Sequence, residues 1–412
     1  MITVMTPAAT VLPDPPTAIL DLDLARPSEL KVPGGAAAPP PAGGPVLALV
    51  RRHSHPLGMV TATAAPGDTS GLRAALLAAG TGLGATPVVP PPTAAATPSL
   101  TVIVCTRDRT ELLPPCLDAL LQAAPAAAEL LLVDNAPSDL ATHDLIRDRY
   151  GDRIRYLCEP APGVSRARNT GLAAATGEVC AFTDDDTLPD PGWLRALLET
   201  FRTDARIGCV TGLVLPAELD TPSQVAFERH CGFSRGFAPR IWSLADQGGD
   251  PPVPYTVSRF GTGANMAFRT EALRAIGGFD EAAGAGTPTR GGEDLLAFLG
   301  VLTAGRLVAY APDALVWHRH RRTPSALRAQ VYGYGVGYGA FLAAVLVNRP
   351  AMLADLVRGL PAMLPLAPGR RRPDKEPAPR ELVRLQCRGL LVGPLSYLVS
   401  RGRRRTRGGA RP

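Results

Sequence analysis

Three consecutive carboxylates, Asp184, Asp185 and Asp186, follow Thr183 near the middle of the 412-residue chain. Adjacent anions repel and cost desolvation, so such a run is stable where a divalent cation neutralises it. Side chains alternate along an extended chain, so Asp184 and Asp186 point the same way and can reach one cation. Oxygen ligands suit Mn2+ or Mg2+, ions that keep waters and bind a substrate diphosphate. The competing reading is a solvated acidic turn, where Asp is common. A second feature, Glu159-Pro-Ala-Pro-Gly-Val-Ser-Arg-Ala-Arg-Asn169, opens a helix. Gly163 and Ser165 suit a tight entry, and Arg166, Arg168 and the helix N-terminus can meet a diphosphate. The alternative there is a capped helix with surface arginines.

These residues need a scaffold, and the hydrophobic pattern supplies one. Leu100-Thr-Val-Ile-Val-Cys105 and Glu129-Leu-Leu-Leu-Val133 read as buried strands, as do Ile154–Leu157 and Glu178–Phe182. Helical periodicity over 111–124, 140–150 and 166–175 alternates with them. Strands and helices at this spacing predict an α/β fold with a parallel sheet covered on both faces. Ligands then bind at the carboxyl ends of the strands, where Asp134 and the Asp triplet fall.

The N-terminal 97 residues read as a small accessory module with strand-like runs at 18–24 and 45–50. Gly34–Gly44 is a loop by composition, and 70–79 is a short helix capped by Ser70. His53 and His55 are spaced to share a strand face and are assigned to the surface. A Pro-rich linker follows at Pro87–Pro98. The predicted organisation is 1–97 accessory region and linker, 98–325 catalytic domain, 326–400 helical extension, and 401–412 basic disordered tail.

The ordered runs Thr101-Val-Ile-Val-Cys-Thr-Arg-Asp-Arg109, Leu131-Leu-Val-Asp-Asn135, Pro162–Gly171 and Phe182–Asp186 resemble the family 2 glycosyltransferases with the GT-A fold. Gly261-Thr-Gly-Ala-Asn265, Gly277-Gly-Phe-Asp280 and Gly291-Gly-Glu-Asp294 extend the resemblance over about residues 99–340. It implies a Rossmann-like, mostly parallel sheet, a nucleotide-diphospho-sugar donor and inverting transfer to a hydroxyl acceptor. By resemblance, Thr106, Arg107, Asp108 and Asp134 contact the nucleoside, and Arg166, Arg168, Asn169, Asp184 and Asp185 belong to the donor site. The metal ligands implied are Asp184 and Asp186, joined by His318 ahead of His320. Asp294 matches the base that deprotonates the acceptor, with Glu293 beside it; the two diverge by about 100° around a helix. The Gly261–Asn265 run shapes the sugar and acceptor pocket, and the glycine-rich approach Gly284–Gly292 reads as a mobile loop over the donor. The apolar run Leu295–Gly300 departs from the polar helix frequent in the family, which bears on acceptor contacts.

Composition excludes other classes. Hydrophobic residues are 46% and charged residues 19%, against a disordered or histone-like chain. Net charge is +6, yet residues 370–412 hold 13 basic and three acidic residues, a local +10 that leaves −4 elsewhere. The basic end therefore points either to an anionic membrane surface or to a helical cap packed on the catalytic domain with a disordered tail, and not to nucleic acid, for which no stacking or groove-reading module is read. Seven cysteines, an odd number without a C-x-x-C pair, fit free thiols in a reducing cytoplasm. No charged and apolar leader and no uninterrupted apolar run of about 18 residues is read. The expected location is cytoplasmic, peripheral at the inner face of the plasma membrane. Two other functions compete: a metal-dependent sugar-phosphate nucleotidyltransferase, weakened because Thr106–Arg109 lacks a glycine-rich phosphate loop, and a non-catalytic sugar-nucleotide-binding protein.

Overall fold

The computed structural model describes residues 3–4, 12–84, 96–125, 128–246, 249, 253–363 and 379–408. Most of the Pro87–Pro98 linker lies outside them. The N-terminal segment builds a sheet from β1 (Ala18–Asp23), β2 (Gly44–Arg52) and β3 (His55–Ala64), flanked by two-residue strands at Thr3–Val4 and Leu30–Lys31. Val46, Ala48 and Val50 of β2 pack under helix α1 (Thr69–Gly80), while Leu47 and Leu49 turn the other way into the core of the large sheet. Strand β2 reads as a continuous apolar run because both of its faces are buried. Each fully buried Leu contributes about 1.5–3 kcal/mol relative to exposure. The module is thus one layer of the main core as well as a unit with its own helix.

Two local expectations are corrected. Asp68, not Ser70, caps α1, because its carboxylate accepts from Gly71 N at 2.8 Å. His53 and His55 do not share a strand face. His53 and Ser54 are the two positive-φ residues of the β2–β3 hairpin turn, and His55 Nδ1 meets Asp313 at 2.7 Å.

The large sheet uses β4 (Leu100–Thr106), β5 (Glu129–Asn135), β6 (Arg155–Glu159), β7 (Val179–Asp184), β8 (Thr187–Pro189), β9 (Ile207–Pro216), β10 (Asn265–Arg269) and β11 (Leu307–His318). Their spatial order is β8-β11-β9-β10-β7-β4-β5-β6, and Arg240–Trp242 pairs on β11. Strands β7, β4, β5 and β6 are parallel throughout, and β9 and β11 are parallel to each other. Strand β10 runs antiparallel between the two blocks. Alternation fills both faces. Val102, Val104, Leu130 and Leu132 enter one core, and Ile103, Leu131 and Val133 the other. Helices α2 (Leu113–Ala123), α3 (Val164–Ala174), α4 (Trp193–Thr203) and α6 (Glu293–Thr303) cover these faces. The sheet is mixed and mostly parallel, in an α/β arrangement with helices on both faces.

Helix α7 (Pro324–Asn348) is continuous, and by length and composition it could cross a membrane. Here it lies largely inside the protein, with Val331, Val336, Phe341 and Val345 buried. It packs on α9 (Arg380–Gly408) through glycines: a Cβ at Gly335 would strike the Gln386 carbonyl, and one at Gly389 the Tyr332 carbonyl. Small residues four apart on both helices (Gly335 and Gly339, Gly389 and Gly393) allow this approach. Helix α8 (Leu353–Met363) lies between them in sequence. Helix α9 continues through Arg401–Gly408, where a disordered tail was expected. Arginine is a good helix former, so a charged run extends a helix that packing has started. Residues 409–412 lie outside the described ones.

Candidate active site

The parallel block brings the chemistry to one edge. Register pairs Thr106 with Asp134 and Cys105 with Asp184, so the ends of β4, β5 and β7 are level. After Asp184 the chain turns into β8, where Thr187 pairs with His318 at the end of β11. Arg319 N also donates to Asp186 O at 2.9 Å, tying this crossing together.

Asp184, Asp186 and His318 consequently meet, with one ligand atom of each lying within 4.8 Å of the others. His318 Nε2 is 3.3 Å from Asp186 Oδ1, and both residues are buried. Burial alone would lower the His318 pKa, but the Asp186 carboxylate outweighs it and raises it. Burial works against the Asp186 charge, yet His318, Arg321 and Arg109 hold its pKa well below the usual carboxylate range. Burial raises that of Asp184. Two carboxylates and an imidazole are ligands that Mn2+ accepts readily. Around them stand five carboxylates (Asp184, Asp185, Asp186, Glu293, Asp294) and three guanidinium groups (Arg109, Arg168, Arg321). Carboxylates thus outnumber guanidinium groups here, an excess that a divalent cation would offset. The donor set fits such an ion.

Asp185 turns away from this cluster. It accepts from Thr106 Oγ1 and Arg109 Nη1, each at 2.8 Å, and burial beside Asp186 pushes its pKa up to about 6. Of the expected donor contacts, Thr106 is thereby taken up inside the protein. Asn169 is too: its amide bonds Phe279 O at 2.9 Å and accepts from Phe279 N at 2.8 Å. Arg166 pairs with Glu281 at 3.1 Å. Each has the same physical reason: partners that the fold brings in from distant parts of the chain reach these side chains first. Arg107 and Asp108 remain about half exposed at the mouth, and Asp108 Oδ1 accepts from Ser138 N at 2.9 Å.

Asp134 is fully buried; Oδ2 accepts from Tyr156 at 3.0 Å, while Oδ1 has no partner, and burial raises its pKa. A buried carboxylate oxygen without a donor marks a place for one.

Arg168 is the hub. Gly163, at φ +136°, starts α3 in a conformation that side chains avoid, and one turn later Arg168 is buried under the site. Its Nη1 donates to Glu293 Oε1 at 2.7 Å, and its Nη2 lies 3.4 Å from both Asp184 Oδ1 and Gly263 O. Burial disfavours its charge, but Glu293 and Asp184 more than restore it. It is not a surface arginine awaiting phosphate. Glu293, buried on Arg168, is likewise not the solvent-facing member of its pair. That member is Asp294, half-buried, whose Oδ2 accepts from Gly263 N at 2.9 Å and Oδ1 from Leu295 N at 2.8 Å. The Gly261–Asn265 turn thus faces Asp294, while Asn265 itself is buried and structural, bonded to Trp193, Leu213 and Ala314.

The glycine-rich segment 284–292 is held by bonds rather than open: Val164 N reaches Ala285 O at 2.9 Å, Ser165 Oγ reaches Ala283 O at 2.7 Å, and Gly284 N reaches Thr289 Oγ1 at 2.9 Å. Short Thr and Ser side chains close its turns. Sequence reading missed Arg109 and Arg321 as counter-charges, Tyr156 beside Asp134, and Glu228 beside His320. Glu228 sits on another helix some ninety residues earlier, with no local mark.

Residues 101–277 match the family model for glycosyl transferase family 2. The chain is 32% identical over 206 residues to a pre-mycofactocin glycosyltransferase of Mycobacterium tuberculosis, covering 50% of this chain and 39% of the relative. It is 31% identical over 220 residues to the succinoglycan biosynthesis protein ExoM of Rhizobium meliloti, covering 52% and 64%. It thus spans less than two thirds of either relative. A mannosyltransferase from Pyrobaculum calidifontis, solved with GDP-Man and Mn2+, aligns at 20% identity with a TM-score of 0.45 over 80% of each chain. Glu293, Asp294 and His318 lie beyond the matched segment but close onto its Asp184–Asp186 edge. Residues 101–277 of this chain are thus similar to glycosyl transferase family 2.

Proposed function

We propose that the protein transfers a glycosyl group, with inversion, from a nucleotide-diphosphate sugar to a hydroxyl acceptor. The observation that carries this is a continuous bridge. Arg168 links Asp184 to Glu293 and to the Gly263 carbonyl, and Gly263 N holds Asp294. The base and the carboxylates that would meet the diphosphate are therefore positioned by one arginine. Asp294 takes the acceptor proton as its oxygen attacks the anomeric carbon, the bond to the diphosphate oxygen breaks, and nucleoside diphosphate leaves with the electron pair. Asp184, Asp186 and His318 would hold Mn2+ or Mg2+, which offsets charge on the departing diphosphate when bound. Asp134 and the half-exposed Arg107 and Asp108 take the nucleoside. The test is a donor panel with Mn2+ and with Mg2+, reading nucleoside diphosphate release. Asp294→Asn should keep donor affinity within a few-fold while transfer falls about 10²–10⁴-fold. Equal loss of donor binding would make Asp294 a donor-site residue instead.

We further propose that the acceptor is met at an anionic membrane surface on the cytoplasmic side. Leu391, Leu395 and Leu398 of α9 are 81%, 66% and 52% exposed, and they form one stripe with Val392 and Val399. Exposed Arg384 and Arg388 precede the stripe and exposed Arg403 follows it. An apolar stripe between arginines suits the interface of an anionic bilayer. Tyr397 connects this helix to the site loop, donating to Asp280 Oδ2 at 2.7 Å. Flotation with 30% anionic phosphatidylglycerol vesicles should show salt-sensitive binding that Leu391→Glu with Leu395→Glu largely abolishes. A protein that stays unbound at low salt ends the membrane reading.

A further inference from the structure

The histidine at the end of β11 does not stand alone. His318 Nδ1 is 3.1 Å from His320 Nδ1, and His320 Nε2 is 2.5 Å from Glu228 Oε1. Helix α5 (Pro222–His230) carries Glu228 and is fixed at its start by a capping box between Thr221 and Gln224. Gln224 Nε2 also donates to the His320 carbonyl at 3.3 Å, so helix and strand end are joined twice. Both imidazoles are buried, and Phe227, Phe233 and Tyr334 crowd around them, with ring centroids 4.4 Å apart for Phe227 and His320 and 5.1 Å for Phe233 and His318.

We propose that Glu228 and His320 are positioning residues whose hydrogen-bonded relay presents the Nε2 lone pair of His318 to the Asp184–Asp186 cluster. The inference rests on the reading above that this cluster takes a divalent cation. The proton count along the relay carries it. An ionised carboxylate only accepts, so His320 must donate to Glu228 from Nε2. A neutral His320 then has a bare Nδ1, which can only accept, and His318 must donate to it from Nδ1. A neutral His318 is left with its lone pair on Nε2, the atom 3.3 Å from Asp186 Oδ1. That lone pair and Asp186 Oδ1 share one gap, which a cation can fill as a proton does. Hydrogen bonding of the second ring nitrogen commonly sets the tautomer and orientation of a ligating histidine, and losing such a partner typically weakens metal binding about 10- to 100-fold. In this chain the partner is itself a histidine, oriented by a carboxylate on a separate helix.

The experiment measures Mn2+ affinity of the full-length protein without donor, by calorimetry or by the spin resonance of unbound Mn2+. His320→Phe keeps a flat ring in the aromatic surround but accepts nothing, and should weaken binding about 10- to 100-fold. His320→Asn places an oxygen near the Nδ1 position and should recover affinity to within a few-fold of the parent, which a purely packing role would not do. Glu228→Gln retains an oxygen acceptor without charge and should fall between parent and His320→Phe. It also serves as the deciding variant if His320→Phe does not fold. Imidazole 15N spectra of the Mg2+-loaded protein should report Nδ1–H on His318. His318→Ala separates the two ideas. If the parent binds no Mn2+, or if His318→Ala binds it as tightly as the parent, the cation reading of this cluster itself fails. If His318→Ala loses Mn2+ while His320→Phe and Glu228→Gln bind it like the parent, or if His318 carries its proton on Nε2, the relay alone is overturned.

Discussion

Two buried arginines each sit between two carboxylates, and they do opposite work. Arg51 joins the N-terminal sheet to the catalytic domain: its Nε and Nη2 meet Asp21 at 2.8 and 2.6 Å, and Nη2 meets Asp190 at 2.6 Å. The other Asp190 oxygen accepts from Gly192 N at 2.9 Å. Every carboxylate oxygen in that group has a partner. Arg168 joins Glu293 at 2.7 Å to Asp184 at a loose 3.4 Å, and Glu293 Oε2 has none. Both arginines hold their protons more tightly than usual, and both groups contain a carboxyl whose pKa burial has raised. Shifted protonation therefore does not distinguish a structural joint from a site. Unsatisfied lone pairs do. The joint is closed, whereas the site keeps room for charges that arrive with ligands.

That contrast is sharpest where one group is damaged for function and the other for folding. Asp186→Asn should lower transfer by about 10³-fold or more, the scale of losing several kcal/mol of charge stabilisation on the leaving diphosphate. It should lower the thermal midpoint less than Arg51→Met does, because relief of repulsion with Asp185 offsets part of the attraction lost to His318, Arg321 and Arg109. Arg51→Met should do the reverse. Removing one partner of a buried ion group costs about 3–5 kcal/mol, while turnover per folded molecule stays near the parent value. The first is read by donor turnover, the second by urea unfolding. If Arg51→Met lost activity without losing stability, the N-terminal layer would belong to the site.

The parts of this architecture visible from sequence are those governed by local rules. Short continuous apolar runs ending near Asp134 and Asp184 placed the strand ends, and the helix entry at Gly163 placed Arg168. What the residues alone did not disclose was the direction in which each side chain turns. Asp185, Thr106 and Asn169 lie in site motifs yet bond within the protein, because partners 76–110 residues away compete for them. The close approach of α7 and α9 through their glycines carried no signal, since it depends on a second helix brought in later. Glu228 carried no signal, because its significance comes only from the His320 imidazole 92 residues beyond it.

The smallest expected effect tests whether the joint is optimised for stability at all. Burial pushes Asp21 up to about 6, Asp190 adds repulsion, and Arg51 pulls down without fully compensating. The folded state therefore holds that proton more tightly than the unfolded chain, where Asp titrates near 3.9. Between those values folding takes up a proton, so this group's contribution to stability is fully present below about 4 and is lost as pH rises through about 6. The slope is at most about 1.4 kcal/mol per pH unit for one group. Asp21→Asn mimics the protonated form, so it should be more stable than the parent at pH 7.5. The gap should narrow as pH falls through 6 and close near pH 4. Paired urea titrations of parent and variant across this range cancel the titration of all other carboxylates. A variant less stable than the parent at pH 7.5 would mean that the charged pair outweighs its burial, and the joint would then rely on Asp21 ionised.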